Sequence, residues 1–256
     1  MGLDIENNKI KLAVVGSGGR VGKELLQVIM QNFNQLTPYI GVGRGSFGYE
    51  NNFSNFSEMN KFLEDNKSNT IKNKPNVIID FSAPELFNEA LKFCTLNKLP
   101  MVSGTTGLSP KQFEDLKKAS SITPILWSPN MSLGVAMVKK SFAAFKFLKD
   151  KDNPAFDIVM EEWHHNKKKD SPSGTALMLV ERFEQEVGRK INTTQSFRAG
   201  GIFGEHHLHL VSDEEQITIS HKALNRAVFA KGSIVAAQWL IDKKPDLYKI
   251  DDVLEI

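Results

Sequence analysis

A glycine-rich turn between an apolar run and an amphipathic stretch constrains the fold of this chain more than any other feature. Ile10–Val15 is apolar enough for a buried strand, and Gly16–Gly22 follows it directly. Apolar residues then recur at helical spacing, at Val21, Leu25, Ile29 and Phe33. A strand, a glycine turn and an amphipathic helix in this order are typical of the start of a dinucleotide-binding βαβ unit.

The turn has the residue types that a bound pyrophosphate requires. Gly16 allows a tight turn, and Gly18 or Gly19 lets backbone N–H groups approach the phosphates. Gly22 lets the helix pack closely on the strand, and the N-terminus of that helix favours negative charge. A glycine turn between a strand and a helix can also serve backbone geometry alone. The βαβ context favours cofactor binding.

Short apolar runs alternate with helical patterns along the first half of the chain, and each run ends in a polar loop. The runs after the first are Tyr39–Val42, Pro75–Ser82, Leu99–Ser103 and Pro124–Trp127. This pattern predicts a parallel sheet whose carboxyl-end loops line a ligand crevice. Gly43 and Arg44 stand where an acidic residue would select NAD, so they favour NADP. An arginine merely exposed in a turn explains Arg44 as well.

Two stretches of the first half carry no predicted chemistry. Ser46–Lys74 is polar, and we expect one short amphipathic helix in it. Pro84 fits the first turn of a helix whose buried face includes Cys94. We interpret Cys94 as a packing residue rather than a nucleophile.

The pattern changes after Asn130 and predicts a second, α+β domain with a mixed sheet. Its expected helices are Leu133–Leu148 and Ser173–Val187, and its expected strands are Phe156–Met160, Ser196–Ala199, His206–Ser212 and Gln216–His221. Asp213–Glu215 is an expected hairpin turn. A last helix, Ala223–Ile241, can return the chain to the first domain. The predicted fold is α/β, with a Rossmann-like dinucleotide-binding domain over residues 1–132, completed by 233–256, and a second domain over 133–232.

Composition excludes several classes of protein. The 256 residues have a formal net charge of +2, which favours neither nucleic acid nor a membrane surface as a partner. Cys94 is the single cysteine, so no internal disulfide and no thiolate metal cluster is expected. The polar start of the chain has no apolar signal core, and no apolar run reaches the ~18 residues of a membrane span. We therefore expect a cytoplasmic protein.

The segment Glu162–Thr175 combines groups that move protons with groups that bind anions. His164 and His165 follow a strand, so an extended backbone directs their side chains to opposite faces. Lys167–Lys169 comes next, and Pro172–Thr175 then presents hydroxyls and helix-start N–H groups. Together these residues suit a small dianionic substrate that needs a proton. A basic loop before a capped helix is the alternative interpretation.

Further histidines lie on a later predicted strand. His206, His207 and His209 raise the question of a metal site, with His207 and His209 on one strand face. No carboxylate is placed by the sequence to complete such a site. We interpret these residues as part of a solvated or packed strand and predict no metal.

The sequence from end to end resembles the 4-hydroxy-tetrahydrodipicolinate reductase (dihydrodipicolinate reductase) family. The most specific segment is Glu162–Ala176, which is similar to the family signature E-x-H-H-x-x-K-x-D-x-P-S-G-T-A. Supporting segments are Gly16–Gly22, Asp80–Ser82, Gly104–Gly107, Asn130–Val135, Arg198–Gly200, Gly204–His206 and Asp251–Leu254. The resemblance implies hydride transfer from NADPH or NADH to C4 of a cyclic imine dicarboxylate, in lysine biosynthesis via the diaminopimelate pathway. It also implies a homotetramer assembled by the second domain.

The resemblance implies a role for each matching residue. His164 matches the acid/base histidine, Lys168 the proton-donating lysine, and His165 a substrate contact. Gly174 and Thr175 match the main-chain site for a substrate carboxylate. The implied cofactor contacts are Gly16, Ser17, Gly18, Gly19, Arg20, Val21, Arg44, Gly104, Thr105, Thr106, Ser128, Pro129, Asn130 and Met131. Lys167 and Lys169 become solvent-facing neighbours.

Some positions depart from the usual family pattern. Val21 replaces a methionine, Ser82 a frequent threonine and Trp163 a smaller residue, and none of these changes removes a catalytic group. Gly43 replaces the acid of many members, so we expect NADPH to serve at least as well as NADH. Two alternatives remain: an NAD(P)-dependent oxidoreductase for another imino or amino dicarboxylate, and a non-catalytic NADPH-binding sensor. A sensor would not need His164 and Lys168 together.

Overall fold

The computed structural model describes residues 9–65, 74–149 and 156–255. They divide into two compact units, one containing residues up to Met131 together with Phe229–Val253, and the other Ser132–Val228 with the last residues of the chain. Residues 1–8, which belong to the polar start, and residues 66–73 of the predicted polar connection lie outside the described residues. Each unit has its own sheet and core.

Strands and helices alternate along the described chain. The strands are β1 (Ile10–Val15), β2 (Leu36–Val42), β3 (Asn51–Phe53), β4 (Val77–Asp80), β5 (Met101–Ser103), β6 (Ile125–Trp127), β7 (Asp157–His164), β8 (Thr193–Arg198), β9 (Gly204–Val211), β10 (Gln216–Ala223) and β11 (Leu247–Tyr248). The α-helices are α1 (Arg20–Asn32), α2 (Phe56–Asp65), α3 (Pro84–Asn97), α4 (Pro110–Ser120), α5 (Leu133–Ser141), α6 (Gly174–Val187) and α7 (Ala227–Leu240). Phe142–Lys149 and Ile250–Leu254 are 3-10 helices.

The first unit is built on a parallel sheet in the order β11-β6-β5-β4-β1-β2-β3. The chain runs outwards from β1 to one side and from β4 to the other, so the strand order reverses between these two strands. In open parallel sheets the ligand binds at such a reversal, beyond the carboxyl ends of the strands. Every residue of β4 is buried, as expected for a strand covered on both faces. The predicted Rossmann-like parallel sheet is confirmed.

Cys94 packs in the core of this unit, among Phe87, Leu91 and Met101. The thiol is fully buried, and its burial raises the pKa well above the usual range. A thiol in this environment stays protonated and unreactive. The packing interpretation of Cys94 is confirmed.

The second unit contains a mixed sheet in the order β10-β9-β7-β8. β7 is parallel to β8 and antiparallel to β9, and β9 and β10 form a hairpin. Residues on one face of the sheet, among them Ile158, Met160 and Leu208, pack against Ala176 and Phe183 of α6. The predicted mixed-sheet domain and its hairpin turn at Asp213–Glu215 are confirmed, the turn being closed by a hydrogen bond from Ser212 N to Glu215 O (2.9 Å).

The predicted helix Leu133–Leu148 is wrong in its second half. The α-helix ends at Ser141, and the chain continues as a 3-10 helix. Phe142, Phe145 and Leu148 are spaced three residues apart, and in a 3-10 helix such residues lie on the same side. All three contact the core of the second unit.

No helix within the described residues is long and apolar enough to cross a membrane.

Candidate active site

The strand β7 places Glu162 and His164 on the face of its sheet that meets α6. Successive side chains of β7 alternate between the two faces, and Ile158, Met160, Glu162 and His164 are the buried ones. Glu162 has no exposed surface, and His164 is 8% exposed. Glu162 and His164 therefore extend the apolar row of Ile158 and Met160 at the carboxyl end of β7.

Glu162 contacts three partners from three parts of the chain. Its Oε2 accepts a short hydrogen bond from Nδ1 of His164. Its Oε1 accepts from Arg198 Nη2 (2.8 Å) and from the backbone N–H of Ser173 (3.1 Å). Burial alone would raise the pKa of Glu162, but the hydrogen bonds, led by that from Arg198, lower it. The carboxylate is therefore charged, and all of its partners are donors.

The neighbours of the His164 imidazole act on its pKa in opposite directions. Burial is the main cause that lowers its pKa, Glu162 acts in the opposite direction, and the positive charges of Lys168 and Arg198 lower it further. The ring of His206 stands edge-on to it, with 5.4 Å between ring centroids. A methyl group at Gly204 would lie 3.0 Å from Nε2 of His164, so glycine at this position leaves room for the ring.

Only one lysine of the run Lys167–Lys169 turns inwards. Lys167 and Lys169 are exposed, whereas Lys168 is half-buried and its Nζ contacts both carboxylate oxygens of Asp170 at 2.9 Å. The hydrogen bond from Lys168 is the main cause that lowers the pKa of Asp170. The expectation that Lys167 and Lys169 face solvent is confirmed.

The backbone N–H groups at the start of α6 face carboxylates: that of Ser173 donates to Glu162, and that of Gly174 helps to lower the pKa of Asp170. Ser173 is the N-cap, and its Oγ accepts from the backbone N–H of Ala176 at 3.1 Å. A methyl group at Gly174 would meet nothing within 4 Å, and Gly174 does not adopt positive φ. Neither packing nor backbone conformation therefore requires glycine at this position. A ligand that approaches the first turn of α6, where Thr175 follows, would explain why glycine occupies position 174.

His165 and the later histidines differ in environment. β7 ends at His164, and His165 lies half-buried beyond it. His206 is buried, and its Nε2 lies 3.1 Å from Oγ of Ser173. His207 and His209 stack on each other on the opposite face of β9, with 6.1 Å between ring centroids. Within the described part of the chain, no group of three or more His, Cys, Asp or Glu side chains is arranged to hold a metal ion.

The glycine turn of the first unit is as close-packed as a dinucleotide turn requires. Gly16 has φ of +81°. A methyl group at Gly22 would lie 2.4 Å from O of Gly16, and one at Gly18 would lie 2.1 Å from O of Arg44. The turn therefore needs glycine to bring α1 and the loop after β2 against it. Gly19 is the N-cap of α1 and makes no side-chain cap hydrogen bond, so the first N–H groups of α1 are available to an anion.

The segment after β2 meets this turn. Arg44 is exposed, and Gly43 has φ of +138°, a backbone conformation that side chains rarely adopt. An acidic residue that would accept from ribose hydroxyls is thus absent from a position where the backbone disfavours one. Ser17 Oγ donates to Ser46 Oγ (2.8 Å), which fixes the loop against the turn.

Buried Asp80 ties together the loops that follow β4 and β5. Its Oδ2 accepts from Ser103 Oγ and from Thr105 Oγ1, each at 2.7 Å, and its Oδ1 accepts from Ser82. Burial raises the pKa of Asp80, while the hydrogen bonds from these hydroxyls lower it. A methyl group at Gly104 would lie 2.3 Å from the ring of Phe81, so this glycine allows the two loops to touch.

The loop after β6 joins the same edge of the sheet. Ser128 N donates to O of Ser103 (3.1 Å), and Trp127 Nε1 donates to O of Thr105 (3.0 Å). Ser128 and Met131 are buried, Pro129 is exposed, and Ser128 Oγ donates to O of Asn130 at 2.7 Å. Thr106 is exposed. The structure thus gathers the predicted cofactor residues of Gly16–Val21, Arg44, Gly104–Thr106 and Ser128–Met131 at the carboxyl end of one parallel sheet.

The sequence interpretation gave no role to three residues of these sites. Glu162 could have been found from the strand period of two, which places it on the face of His164. Asp80 is an acidic residue at the end of a buried strand, followed by hydroxyl-bearing residues. Arg198 gave no such signal, because it lies 36 residues from its partner Glu162.

Two family models match almost the whole chain. The model of the N-terminal part of dihydrodipicolinate reductase matches residues 10–131, and that of the C-terminal part matches residues 134–254. A protein of Bdellovibrio bacteriovorus named 4-hydroxy-tetrahydrodipicolinate reductase is 42% identical over 246 residues, covering 96% of each chain. One of the same name from Campylobacter lari is 36% identical, covering 96% of this chain and 100% of its own.

Solved structures share the fold. The dipicolinate-bound dihydrodipicolinate reductase of Paenisporosarcina sp. TG-14 superposes with a TM-score of 0.74 at 19% identity, over 94% of this chain and 97% of that one. The myo-inositol 2-dehydrogenase of Lactobacillus plantarum reaches 0.62 at 9% identity, over 96% and 93%. The chain belongs to the dihydrodipicolinate reductase family.

Proposed function

We propose that this chain catalyses the NAD(P)H-dependent reduction of 4-hydroxy-tetrahydrodipicolinate to tetrahydrodipicolinate, in lysine biosynthesis via the diaminopimelate pathway. Its relatives at 36–42% identity carry the name of this activity. The observation that carries the proposal is the grouping of His164, Lys168 and the first turn of α6 in one unit. These groups supply a proton and bind a carboxylate, which the reduction of an imine dicarboxylate requires.

The residues divide the chemistry as follows. When bound, the nicotinamide cofactor supplies a hydride for C4 of the substrate ring, from which water is lost. The electron-rich ring that results needs a proton, and Lys168 and His164 are the groups that provide it. Gly174 and Thr175 hold one substrate carboxylate through their N–H groups, and His165 contacts the substrate. Lys168 also balances the substrate charge, exchanging Asp170 for a substrate carboxylate.

The first unit supplies the cofactor site in this proposal. The uncapped start of α1 and the close-packed glycine turn suit a pyrophosphate. Arg44 suits a 2′-phosphate, and Gly43 offers no carboxylate to select a free ribose hydroxyl. We therefore expect NADPH to serve at least as well as NADH. A strong preference for NADH in matched assays would contradict this expectation.

We also infer a homotetramer assembled by the second unit, and a location in the cytoplasm. The outer face of the mixed sheet supports the assembly, because Trp163 stacks on Phe197 there with 4.1 Å between ring centroids, beside the His207–His209 pair. An aromatic stack on an open sheet face is typical of an interface. Native sizing that gives a monomer at assay concentration would contradict the tetramer.

Variants of the proton-moving residues test the reaction. With enzymatically generated substrate and NADPH, loss of nicotinamide absorbance reports the wild-type rate. His164→Ala is expected to lower kcat about 100-fold or more, and to leave the Kd for NADPH within a few-fold. Lys168→Ala is expected to raise the substrate KM as well as lower kcat, because it removes both a charge and a proton donor.

The neighbouring lysines are matched controls. Lys167→Ala and Lys169→Ala remove the same charge from exposed positions, and both are expected to retain wild-type kinetics. If His164→Ala keeps its turnover within a few-fold, the acid/base role is wrong. An unchanged substrate KM in Lys168→Ala would count against the substrate-binding role of that lysine.

A further inference from the structure

Glu162 is a fully buried carboxylate that connects three elements of the second unit. It lies on β7 with His164, accepts from Arg198 of β8, and accepts from the N-cap residue Ser173 of α6. Arg198 Nη2 also donates to O of Asp170 (2.6 Å), in the loop that carries Lys168. One carboxylate thus connects the acid/base histidine with the anion-binding turn.

The carboxylate of Glu162 determines which nitrogen of His164 carries the proton. A carboxylate only accepts hydrogen bonds, so Nδ1 of His164 must be the protonated nitrogen. Nε2 is then left to exchange a proton, on the side where Gly204 provides space. The other carboxylate oxygen is occupied by Arg198 and Ser173, so Glu162 cannot rotate away without losing two charge-assisted hydrogen bonds.

We propose that Glu162 is a positioning residue that fixes the tautomer and orientation of His164 and joins this histidine to the first turn of α6. Arg198 holds Glu162 in place and keeps its charge balanced. The proposal rests on the acid/base role of His164 proposed above. It also explains why a glutamate occupies the apolar inner row of β7, where an unpaired carboxylate would be strongly unfavourable.

A glutamate that only stabilised the fold would not control the state of His164. The charged and titratable groups that face His164 are Glu162, Lys168, Arg198 and His206. Glu162 favours the protonated imidazole, and Arg198 disfavours it. Removing one or the other charge is therefore expected to move the pKa of His164 in opposite directions, which a general loss of packing does not do.

Glu162→Gln makes the sharpest change. The single amide oxygen is expected to stay with the two donors Arg198 and Ser173, which turns the amide NH₂ towards Nδ1 of His164. Nδ1 must then accept, so the imidazole proton moves to Nε2. We expect kcat to fall about 100-fold, because Nε2, the nitrogen that exchanges the proton, then carries a hydrogen when the imidazole is neutral. We expect the Kd for NADPH to stay within two-fold.

Nitrogen NMR of selectively labelled histidines, with His164 assigned by its substitution, measures both quantities without substrate. Glu162→Gln is expected to convert His164 to the Nε2–H tautomer and to lower its pKa. Arg198→Met is expected to keep the Nδ1–H tautomer and to raise that pKa. Each variant is judged alone, so the test holds if one of them fails to fold.

Glu186→Gln is the matched control. Glu186 is a half-buried glutamate of the second unit that, like Glu162, pairs with an arginine (Arg182, at 2.7 Å), and it lies at the other end of α6. This variant is expected to leave the tautomer and kinetics unchanged. An Nδ1–H tautomer of His164 in Glu162→Gln, or a lowered pKa of His164 in Arg198→Met, would overturn the proposal. An inactive wild type would overturn the assigned reaction instead, since the NMR result does not depend on turnover.

Discussion

His164 and Glu162 lie two residues apart on one face of β7, and this spacing was readable in the sequence. The alternation of side chains along a strand places residues two apart together. The partners that give the pair its chemistry come from Ser173 and Arg198, and their approach depends on how α6 and β8 pack on β7. Sequence reasoning therefore singled out His164 but not the residues that hold Glu162 beside it.

His206 makes stability depend on pH. Its burial lowers the pKa to about 3, so the imidazole is neutral in the folded protein. The unfolded chain binds a proton near pH 6.5, and the folded chain does not until the pH falls near its own pKa. Stability is therefore full above about pH 6.5 and decreases as the pH falls below it, by up to about 1.4 kcal/mol per pH unit.

Urea unfolding at several values between about pH 5 and 7 measures this dependence. His206→Gln is expected to remove the part of the decrease that His206 contributes and to leave that of His164 and His221, whose pKa values burial also lowers. His207→Gln changes the neighbouring histidine on the opposite face of β9 and is expected to retain the decrease, because His206 remains buried. Parallel pH profiles for the wild type and His206→Gln would contradict the prediction.

The elements of the fold were predicted to different degrees. Buried strands such as β1 and β4 were readable because they are largely apolar, as expected for strands covered on both faces. The short strands β3 and β11 were not predicted. They lie at the edges of the first sheet, with few residues and little burial, and they are strands because β2 and β6 offer backbone partners.

The contact between α1 and its preceding turn gives a test at this scale. A methyl group at Gly22 would lie 2.4 Å from O of Gly16 and 2.6 Å from backbone atoms of Ser17. Gly22→Ala therefore has to move α1 away from the turn, since backbone atoms cannot rotate aside. We expect a loss of about 1–3 kcal/mol in the free energy of unfolding and a weaker affinity for NADPH, by about ten-fold.

Gly201→Ala is the matched control for this substitution. Gly201 does not have positive φ, and an added methyl group there meets nothing within 4 Å. The control is expected to bind NADPH like the wild type in a fluorescence titration. Unchanged NADPH affinity in Gly22→Ala would mean that the turn does not bind the pyrophosphate.

On the scale of the whole molecule, the two units carry complementary groups. The first gathers glycine and hydroxyl loops at the carboxyl end of a parallel sheet, and the second gathers His164, Lys168 and the start of α6. The change of pattern after Asn130 was enough to predict two kinds of sheet. The assignment of cofactor to the first unit and substrate to the second stays a prediction. The alternation of strands and helices does not specify the contacts of either ligand.

The transfer of deuterium from cofactor to product tests the central claim directly. The protein is incubated with enzymatically generated substrate and NADPH that carries deuterium at both positions of the nicotinamide C4, and the product is analysed by mass spectrometry and NMR. We predict that each product molecule gains one deuterium, located at C4 of the ring, and that His164→Ala transfers it far more slowly. A product without cofactor-derived deuterium, or no product with the wild-type protein, would contradict the proposed reduction.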